Sequence, residues 1–507
     1  LAAGSQNTLA DGASYELAEG EDEPNAALYS KADLTINGTG ALTVEGNYRH
    51  GVNSKDDLVV TGGTLTVTAK EDGLRGKDCV KIADGSFTVT AGRDGVKSSN
   101  DEDPTRGFVS IDGGTFAMDV QDDGVQAATY LRITGGEGTV KAADHALRSE
   151  VEAAMTGGAF TVEAGGKGMN PETRFTLDGG TLNVTGSDEG IEAEEVIVND
   201  GELNIVASDD GINAAVAERP ELPEGAEEGQ MPQRPEGDPG TEGAMPQGGR
   251  GGMGGAGGPV AANASEDCLI QINGGMVTVD AGGDGLDSNG DVEVNGGVVL
   301  ASGSAGGGDS ALDYEYGAKI TGGAVILAGA TGMAETFTEG TQPFAMVAAE
   351  GAAGTNLAVT DEAGTVLVSY TVPKAFQCAV VSAPGLTEGA TGKVIVGGTV
   401  TGADSAGYAT GAAVEGGTTV DFTASTTPSN EVGRMGGGDG SRRGGGPRGG
   451  GARDAQGNAT EGEGATAGEQ NGTAPQQGQN TGADQQGTSG QGQQSASAQT
   501  PQPEVVA

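Results

Sequence analysis

An internal repeat of about 22 residues constrains the fold of this chain more than any other feature. A glycine before a β-rich run recurs in steps of 22, 29, 22, 22, 22, 21, 74, 22 and 26 residues. The members of this first series are Gly63, Gly85, Gly114, Gly136, Gly158, Gly180, Gly201, Gly275, Gly297 and Gly323. A second series, of small residues before aliphatic ones, shares the period: Gly51, Gly73, Gly95, Gly124, Ala146, Gly168, Gly190, Gly211, Gly285 and Ser310. Two independent markers with one period indicate a repeat architecture.

Each repeat unit has room for three short strands and three turns. In DLVVTGGTLTVTAKEDGLRGKD, Leu65 and Val67 alternate with Thr, Leu74 begins a second short run, and Val80 and Ile82 mark a third. A unit of this size cannot bury its own apolar face, so the units must stack, at about 4.8 Å per rung. The pattern predicts an all-β fold, a right-handed parallel β-helix of about 22 residues per coil. About eleven rungs would form a rod roughly 50 Å long.

The composition agrees with a solenoid that has many tight turns. Glycine supplies 97 of the 507 residues, and Gly-Gly and Asp-Gly provide the positive φ that such turns need. With 9 Phe, 8 Tyr and no Trp, we expect a thin, aliphatic core. The nonapeptide calcium roll has a different period, and the LxxLxL frame of leucine-rich repeats is absent.

The charge excludes several classes of partner. The formal net charge is −47, which argues against nucleic acid and anionic membranes as ligands. No run of 18 apolar residues is present to insert into a membrane. The three cysteines, Cys79, Cys268 and Cys378, lack metal-ligand spacing and are expected to be buried thiols.

Interruptions of the period divide the chain into segments. The step of 29 holds a charged loop at Asn100 to Arg106, and the step of 74 holds a segment rich in Pro, Glu, Gly and Met. Composition predicts disorder for that segment and for the Gly, Arg, Gln and Ser-rich C-terminus. The predicted organisation begins with a partial N-terminal coil or cap at residues 1–30, followed by the repeats at 31–330, which include the insertion at 216–265. Closing coils or a β cap follow at residues 331–431, and a disordered tail follows at 432–507.

Charged residues precede the second series and should stack along one edge. They are Asp72, Asp94, Asp123, His145, Lys167, Glu189, Asp210 and Asp284, with Asp309 in the last clear rung. Carboxylates one rung apart repel, and calcium, which takes six to eight oxygen ligands, is a natural counter-ion. Further carboxylates, among them Asp122 and Asp209, stand beside them. We therefore predict calcium ligands at Asp72, Asp94, Asp122, Asp123, Asp209, Asp210 and Asp284.

Two alternatives to a metal site remain open. Asp-Gly is also a good turn dipeptide, in which Asp caps its own backbone. Asp72 has the strand parity of the inward Leu74, so the series could point partly into the turn. Lys167 could act as the base of a calcium-assisted β-elimination, but carboxylates nearby favour its charged form, so its expected role is to relieve repulsion. His145 could be a turn residue only.

Several segments resemble a known family. LAAGSQNTLADGASYE, PNAALYSKADLTINGTGALTVEGNYRHGV, KDDLVVTGGTLTVTAKEDGL and VNDGELNIVASDDGINAA are similar to secreted clostridial carbohydrate-binding domain proteins, over about residues 8 to 425. The resemblance implies a parallel β-helix related to polysaccharide lyases, bound calcium, and cellulose-like or pectin-like ligands. It makes Glu189 and Glu192 of EGIEA, and Asn213 of DDGINAA, candidate glycan contacts. His145, Ala146 and Lys167 depart from the family's Asp-Gly pattern.

Three functions are compatible with these features. The first is a non-catalytic, calcium-assisted polysaccharide-binding protein, monomeric and located outside the cell or at its surface. The second is a structural stalk or adhesin without its own glycan specificity. The third is a calcium-dependent lyase using Lys167, for which no Arg partner is evident in the same rung. Stacking on cellulose would need exposed aromatic residues, and the candidates Tyr48, Tyr130, Tyr314 and Tyr316 are not periodic.

Overall fold

A computed structural model describes residues 1–17, 19–20, 23–216 and 264–428. These residues form a β-solenoid of about 12 turns with about 22 residues per turn, and no helix occurs among them. No helix in the described ranges is therefore long and apolar enough to cross a membrane. The all-β parallel β-helix predicted from the repeat is confirmed. The right-handed sense stays a prediction, and the proposed insertion and tail fall almost entirely outside the described residues.

Each full coil contributes one strand to each of three parallel ladders. The strands of the first ladder are Gln6–Ala10, Ala41–Gly46, Asp57–Ala69, Cys79–Ala91, Thr115–Val120, Glu137–Ala142, Ala159–Ala164, Thr181–Gly186, Glu202–Ala207, Met276–Ala281, Val298–Ser302 and Ala324–Gly329. Those of the second are Ala26–Ser30, His50–Ser54, Leu74–Gly76, Val96–Ser98, Val125–Ala127, Leu147–Ser149, Met169–Pro171, Ile191–Ala193, Ile212–Ala214, Leu286–Ser288 and Asp313–Tyr314. The third has Leu34–Ile36, Phe108–Ile111, Tyr130–Ile133, Glu152–Met155, Arg174–Leu177, Glu195–Val198, Leu269–Ile272, Asp291–Val294, Gly317–Ile320 and Glu339–Gly340, and it shares Asp57–Ala69 and Cys79–Ala91 with the first.

The coil continues in register across the residues that are not described. Ile212–Ala214 pairs directly with Leu286–Ser288, and Glu195–Val198 pairs with Leu269–Ile272. The step of 74 residues therefore contributes one coil to the three ladders, as a step of 22 does.

Stacked apolar side chains fill the interior of the solenoid. Val67, Val89 and Met118 occupy equivalent inward positions of successive coils and are nearly inaccessible to solvent. Every coil repeats the alternation of inward and outward side chains of the coil before it. The inward apolar residues of successive coils therefore stack on one another and form a continuous core that excludes water. The three cysteines are buried and unpaired, as predicted.

The core is not wholly aliphatic, contrary to the expectation from composition. The rings of Phe87 and Phe116 stack with centroids 4.9 Å apart, and Phe116 lies 5.8 Å from Phe160, which is two coils away. Gly138, in the coil between them, makes this contact possible because it has no side chain. A Cβ added there would lie 2.7 Å from the Cβ of Phe116.

Antiparallel strands follow the last parallel coil. They are Phe344–Gly351, Thr355–Thr360, Val366–Val372, Phe376–Ser382, Thr391–Val396, Thr399–Val400, Val414–Glu415 and Thr418–Thr423. Phe376–Ser382 pairs antiparallel with Ala324–Gly329, the final strand of the first ladder. This pairing covers a strand edge that would otherwise be open to association with other chains.

Candidate functional site

The charged residues predicted to stack do form a column, at the turn that precedes the second ladder. We call it the turn column: His50, Asp72, Asp94, Asp123, His145, Lys167, Glu189, Asp210, Asp284 and Ser310. Asp309 does not belong to it, contrary to the expectation from sequence. The N–H of Ser310 donates to Asp284, whereas Asp309 stands one residue earlier. The interval after Asp284 is longer by a few residues, and this shifted the alignment by one position.

The first four members of the turn column, His50 to Asp123, are buried, as the strand parity of Asp72 allowed, whereas the members from His145 to Asp284 are half-buried. Asp72 and Asp94 are fully buried and Asp123 is 3% exposed. A side-chain atom in one coil accepts the backbone N–H of the next coil. Asp94 Oδ1 accepts from the N–H of Asp123 at 3.2 Å, and Asp123 Oδ1 accepts from that of His145 at 3.0 Å. Each of these two acids therefore supplies the hydrogen-bond acceptor for one backbone N–H of the following coil. This stabilises the fold, because a buried N–H without a partner is costly.

A second column lies three residues further on, at the middle of each strand of the second ladder. We call it the strand column: Asn53, Arg75, Lys97, Gln126, Arg148, Asn170, Glu192, Asn213, Asp287 and Asp313. Most of these side chains are half-buried. The two predicted glycan contacts Glu192 and Asn213 are adjacent members of this column, and Glu189 belongs to the turn column.

In the N-terminal coils, cations of the strand column neutralise acids of the turn column. Arg75 Nη1 lies 3.1 Å from Asp72 Oδ2, and Lys97 Nζ lies 2.5 Å from Asp94 Oδ2. Sequence reasoning missed these cations, although their constant offset of three residues from the acids was a readable signal. Arg148 differs from them, because its Nε is buried without a hydrogen-bond partner among the described residues.

The middle coils contain a lysine with two glutamates. Lys167 Nζ lies 3.4 Å from Glu189 Oε1 and 3.0 Å from Glu192 Oε2. Burial alone would lower the pKa of Lys167, but these carboxylates outweigh burial and raise it. Burial, together with Glu192, raises the pKa of Glu189 to about 8. Lys167 is therefore protonated near neutral pH and is poorly suited to be the base of an elimination.

In the C-terminal coils, none of the described lysines or arginines pairs with an acid of the two columns, since Lys374 pairs with Asp280 outside them. Burial raises the pKa of Asp210 to about 6, that of Asp284 to about 9 and that of Asp287 to about 8, and neighbouring carboxylates add to all three shifts. Burial also raises the pKa of Asp313. We call these four residues and Asp209 the acidic end. Residues 49–174 contain fourteen Lys and Arg, whereas the described residues from 175 onward contain three.

Two groups of acids offer oxygens to a calcium ion. Oxygens of Asp94, Asp122 and Asp123 lie within 4.8 Å of one another. Arg93 is 3.5 Å from Asp122, and Lys97 contacts Asp94, so protein cations already neutralise part of this group.

The acidic end offers a second set of oxygens, although three of its carboxylates do not converge within 4.8 Å as those of Asp94, Asp122 and Asp123 do. A Cβ added at Gly283 would collide with Asp210 Oδ1 and lie 2.7 Å from Asp209 Oδ1, so two carboxylates border a space without a side chain. Asn213 Oδ1, buried and without a hydrogen-bond partner in the described part of the chain, is next to Asp287 in the strand column. Carboxylate and amide oxygens are ligands that calcium accepts.

Comparison with known proteins agrees with the resemblance seen in the sequence. A carbohydrate-binding domain-containing protein of Acetivibrio thermocellus is 46% identical over 70 residues, which are 14% of this chain and 24% of that protein. The chain thus matches about a quarter of the length of this relative. A solved structure described as a polysaccharide lyase-like protein from C. thermocellum, in a gadolinium derivative, has 33% identity and a TM-score of 0.27, covering 36% of this chain and 63% of that one.

A family model covers the N-terminal coils, including the turn column from His50 to Asp210 and the strand column from Asn53 to Asn213. The extension of the resemblance to about residue 425 stays a prediction. The family resemblance inferred from the sequence is confirmed over residues 1–219, which match the model of the carbohydrate-binding domain-containing proteins.

Proposed function

We propose that this protein binds polysaccharide without cleaving it, as a monomer outside the cell or at its surface. The match of residues 1–219 to a carbohydrate-binding family supports the ligand class. The raised pKa of Lys167 supports the absence of cleavage by elimination, since no deprotonated lysine is available in that coil near neutral pH.

The observation that carries the proposal is a run of hydrogen-bond donors along the strand column. Arg75, Lys97, Gln126, Arg148 and Asn170 occupy five successive coils, and we call them the donor strip. A chain of −47 formal charge repels acidic glycans overall, so a binding surface for them needs local cations. The donor strip contains three cations, Arg75, Lys97 and Arg148, of which the first two are paired with Asp72 and Asp94. We therefore propose an acidic, pectin-like polysaccharide as the ligand of the donor strip.

Arg148 is the residue of the strip best suited to hold a carboxylate. Arg75 and Lys97 are engaged by Asp72 and Asp94, whereas no ion pair within the described residues engages Arg148. A guanidinium can bind a carboxylate through two parallel N–H donors. A uronate placed over this coil would also meet the side-chain amides of Gln126 and Asn170, which flank Arg148 in the strand column.

Calcium remains part of the proposal, with the acidic end as the place that binds it. Support comes from the uncompensated carboxylates there and from the cradle at Gly283. Asp209, Asp210, Asp284 and Asp287 would hold the ion. Calcium would remove the mutual repulsion of these groups and could bridge them to carboxylates of a glycan.

Electrophoresis through gels containing polygalacturonate tests the proposed function. We expect retardation of the full chain and no ultraviolet-absorbing unsaturated product after incubation with calcium. Arg148→Gln should abolish most of the retardation. Lys141→Gln is the matched control, because Lys141 pairs with exposed Glu163 on the first ladder. Unretarded migration of the wild-type chain, or the appearance of unsaturated product, would contradict the proposal.

A further inference from the structure

The third ladder presents two aromatic residues side by side. Phe108 and Tyr130 occupy equivalent positions in successive coils, because Val109 pairs with Leu131. Tyr130 is 42% exposed and Phe108 is half-buried. Among the described aromatic residues, Tyr130 and Tyr316 are the two that are strongly exposed. We call Phe108 and Tyr130 the aromatic platform.

Two ion pairs border the aromatic platform. Arg132 Nη2 donates to Asp112 Oδ1 at 2.8 Å, and Lys81 Nζ lies 3.3 Å from Asp57 Oδ2. Lys81 also lies 5.1 Å from the centroid of the Phe108 ring, within the range of a cation–π contact. The two cations and two carboxylates cancel one another in charge. Their exposed polar atoms nevertheless offer both donors and acceptors at the edge of the rings.

A depression of about 290 Å³ lies at the aromatic platform. Its lining consists of Lys81, Phe108, Val109, Ser110, Asp112, Tyr130 and Arg132. An apolar floor with a few convergent polar groups is the usual construction of a small-ligand site. The depression lies on a different ladder from the donor strip and shares no residue with it.

We propose that the aromatic platform and its two ion pairs form a subsite for one uncharged pyranose ring of a polysaccharide. A pyranose has an apolar C–H face, which packs on an aromatic ring, and a rim of hydroxyls that both donate and accept hydrogen bonds. The Arg132–Asp112 pair provides a donor and an acceptor for neighbouring hydroxyls. Because the pairs cancel in charge, the subsite favours neutral over acidic sugars. This inference rests on the proposed polysaccharide binding and adds a second face with a different sugar class.

The column that carries the platform also continues along the solenoid. Glu152, Arg174 and Glu195 follow Tyr130 in the next three coils. Arg174 contacts Glu152 at 3.3 Å and Glu195 at 2.6 Å. A neutral chain that runs along the solenoid axis from the platform would therefore meet one further guanidinium and two carboxylates, which offer donors and acceptors beyond one ring.

Calorimetric titration of the full chain with a cello-oligosaccharide of six glucose units tests the subsite. Tyr130→Ala should weaken the affinity about tenfold or more, since it removes the stacking surface, and Tyr130→Phe should retain it within about twofold. Tyr316→Ala is the matched control, because Tyr316 is 43% exposed in a distant coil. Unchanged melting temperatures would show that the variants fold normally.

The same variants separate this inference from the proposed function. Tyr130→Ala should leave oligogalacturonate binding unchanged, and Arg148→Gln should leave cello-oligosaccharide binding unchanged. If the wild-type chain binds oligogalacturonate but not the glucose oligomer, the subsite is refuted and the proposed function stands. If it binds neither, both fail. Self-association that Tyr130→Ala abolishes, with glucan binding intact, would assign the platform to contact between copies and overturn the subsite.

Discussion

The arginines of the strand column differ in their partners between the N-terminal coils and the middle coils. Asp72 and Asp94 are buried acids held by Arg75 and Lys97, so they maintain the turns. Arg148 has the same position as Arg75 in a later coil, but the residue three before it is His145 instead of an acid. Where a histidine stands in place of the acid, the guanidinium therefore has no ion pair among the described residues.

Loss of Arg75 should be costly to stability. Its removal leaves the fully buried Asp72 carboxylate without its guanidinium partner, so Arg75→Met should lower the free energy of unfolding by about 3 kcal/mol. Lys141→Met, which breaks an exposed pair with Glu163, should cost about 0.5 kcal/mol or less. Urea unfolding followed by circular dichroism measures both. Equal losses would contradict the buried role of the pair.

Binding of an acidic glycan should depend on pH through Asp123. Burial, together with the charge of Asp94, raises the pKa of Asp123 to about 7. Protonation below that pH removes a negative charge beside the donor strip, while uronates remain ionised. The affinity for oligogalacturonate should therefore rise between pH 8 and pH 6. Asp123→Asn should flatten this dependence, and a dependence that persists in the variant would assign it to another group.

At the scale of the element, each turn stacks directly on the turn of the coil before. Gly180 has φ of +89°, and a Cβ there would lie 2.7 Å from the carbonyl carbon of Gly157 and from the oxygen of Gly158. Glycine is needed at such positions both for the backbone conformation and for the close approach of the coils. The first glycine series of the repeat is therefore required both by the close contact between coils and by the conformation of the turns.

Gly364 provides a control that separates these two requirements. It has φ of +87°, but a Cβ there would meet nothing within 4 Å. Both Gly180→Ala and Gly364→Ala incur the strain of positive φ, about 1 kcal/mol, and Gly180→Ala should cost at least about 1 kcal/mol more because of overpacking. Thermal unfolding of the two variants gives the comparison. Equal destabilisation would show that crowding between coils is unimportant.

The acidic end should make stability decrease as pH rises. In the unfolded chain its acids release protons near pH 4, whereas the folded pKa of Asp210, Asp287 and Asp284 is about 6, 8 and 9. The folded state therefore binds more protons between about pH 4 and pH 9, and the stabilisation present below that window is lost across it. In chelator, the melting temperature of Asp287→Asn should exceed that of the wild-type chain increasingly from pH 5 to pH 9. The exposed control Asp119→Asn should show a constant difference, and a constant difference in both would contradict this assignment.

At the scale of the whole molecule, cations concentrate in the N-terminal coils and uncompensated acids in the C-terminal coils. Calcium that binds only the folded chain raises its stability by mass action, by about 3 kcal/mol at a hundred times Kd. We expect calorimetric unfolding to show this shift, and Asp210→Asn with Asp287→Asn to remove it. Asp122→Asn with Asp123→Asn, where Arg93 and Lys97 are already present, should retain most of it. No shift in the wild-type chain would exclude calcium from the account.

The repeat made the solenoid predictable, because its strands are local and its turns are marked by Gly63 and its equivalents. The stacking of the acids was also predictable from equal spacing. The strand parity of Asp72 was compatible with burial of these acids but did not require it. The direction of a side chain in a turn also depends on the contacts that the following coil makes with that turn. Arg75 and Lys97 were missed although each follows its acid by three residues, because such an offset is not a motif of a known site, and Arg148 has no acid at that offset. The Asp309 error arose from a coil of unequal length, which spacing alone cannot align.

Calorimetric titration with oligogalacturonate tests the central claim, that the donor strip binds acidic polysaccharide. We expect measurable binding by the wild-type chain, a loss of about tenfold or more in Arg148→Gln, and no change in Lys141→Gln. Absence of binding by the wild-type chain, or equal affinities for Arg148→Gln and Lys141→Gln, would contradict it.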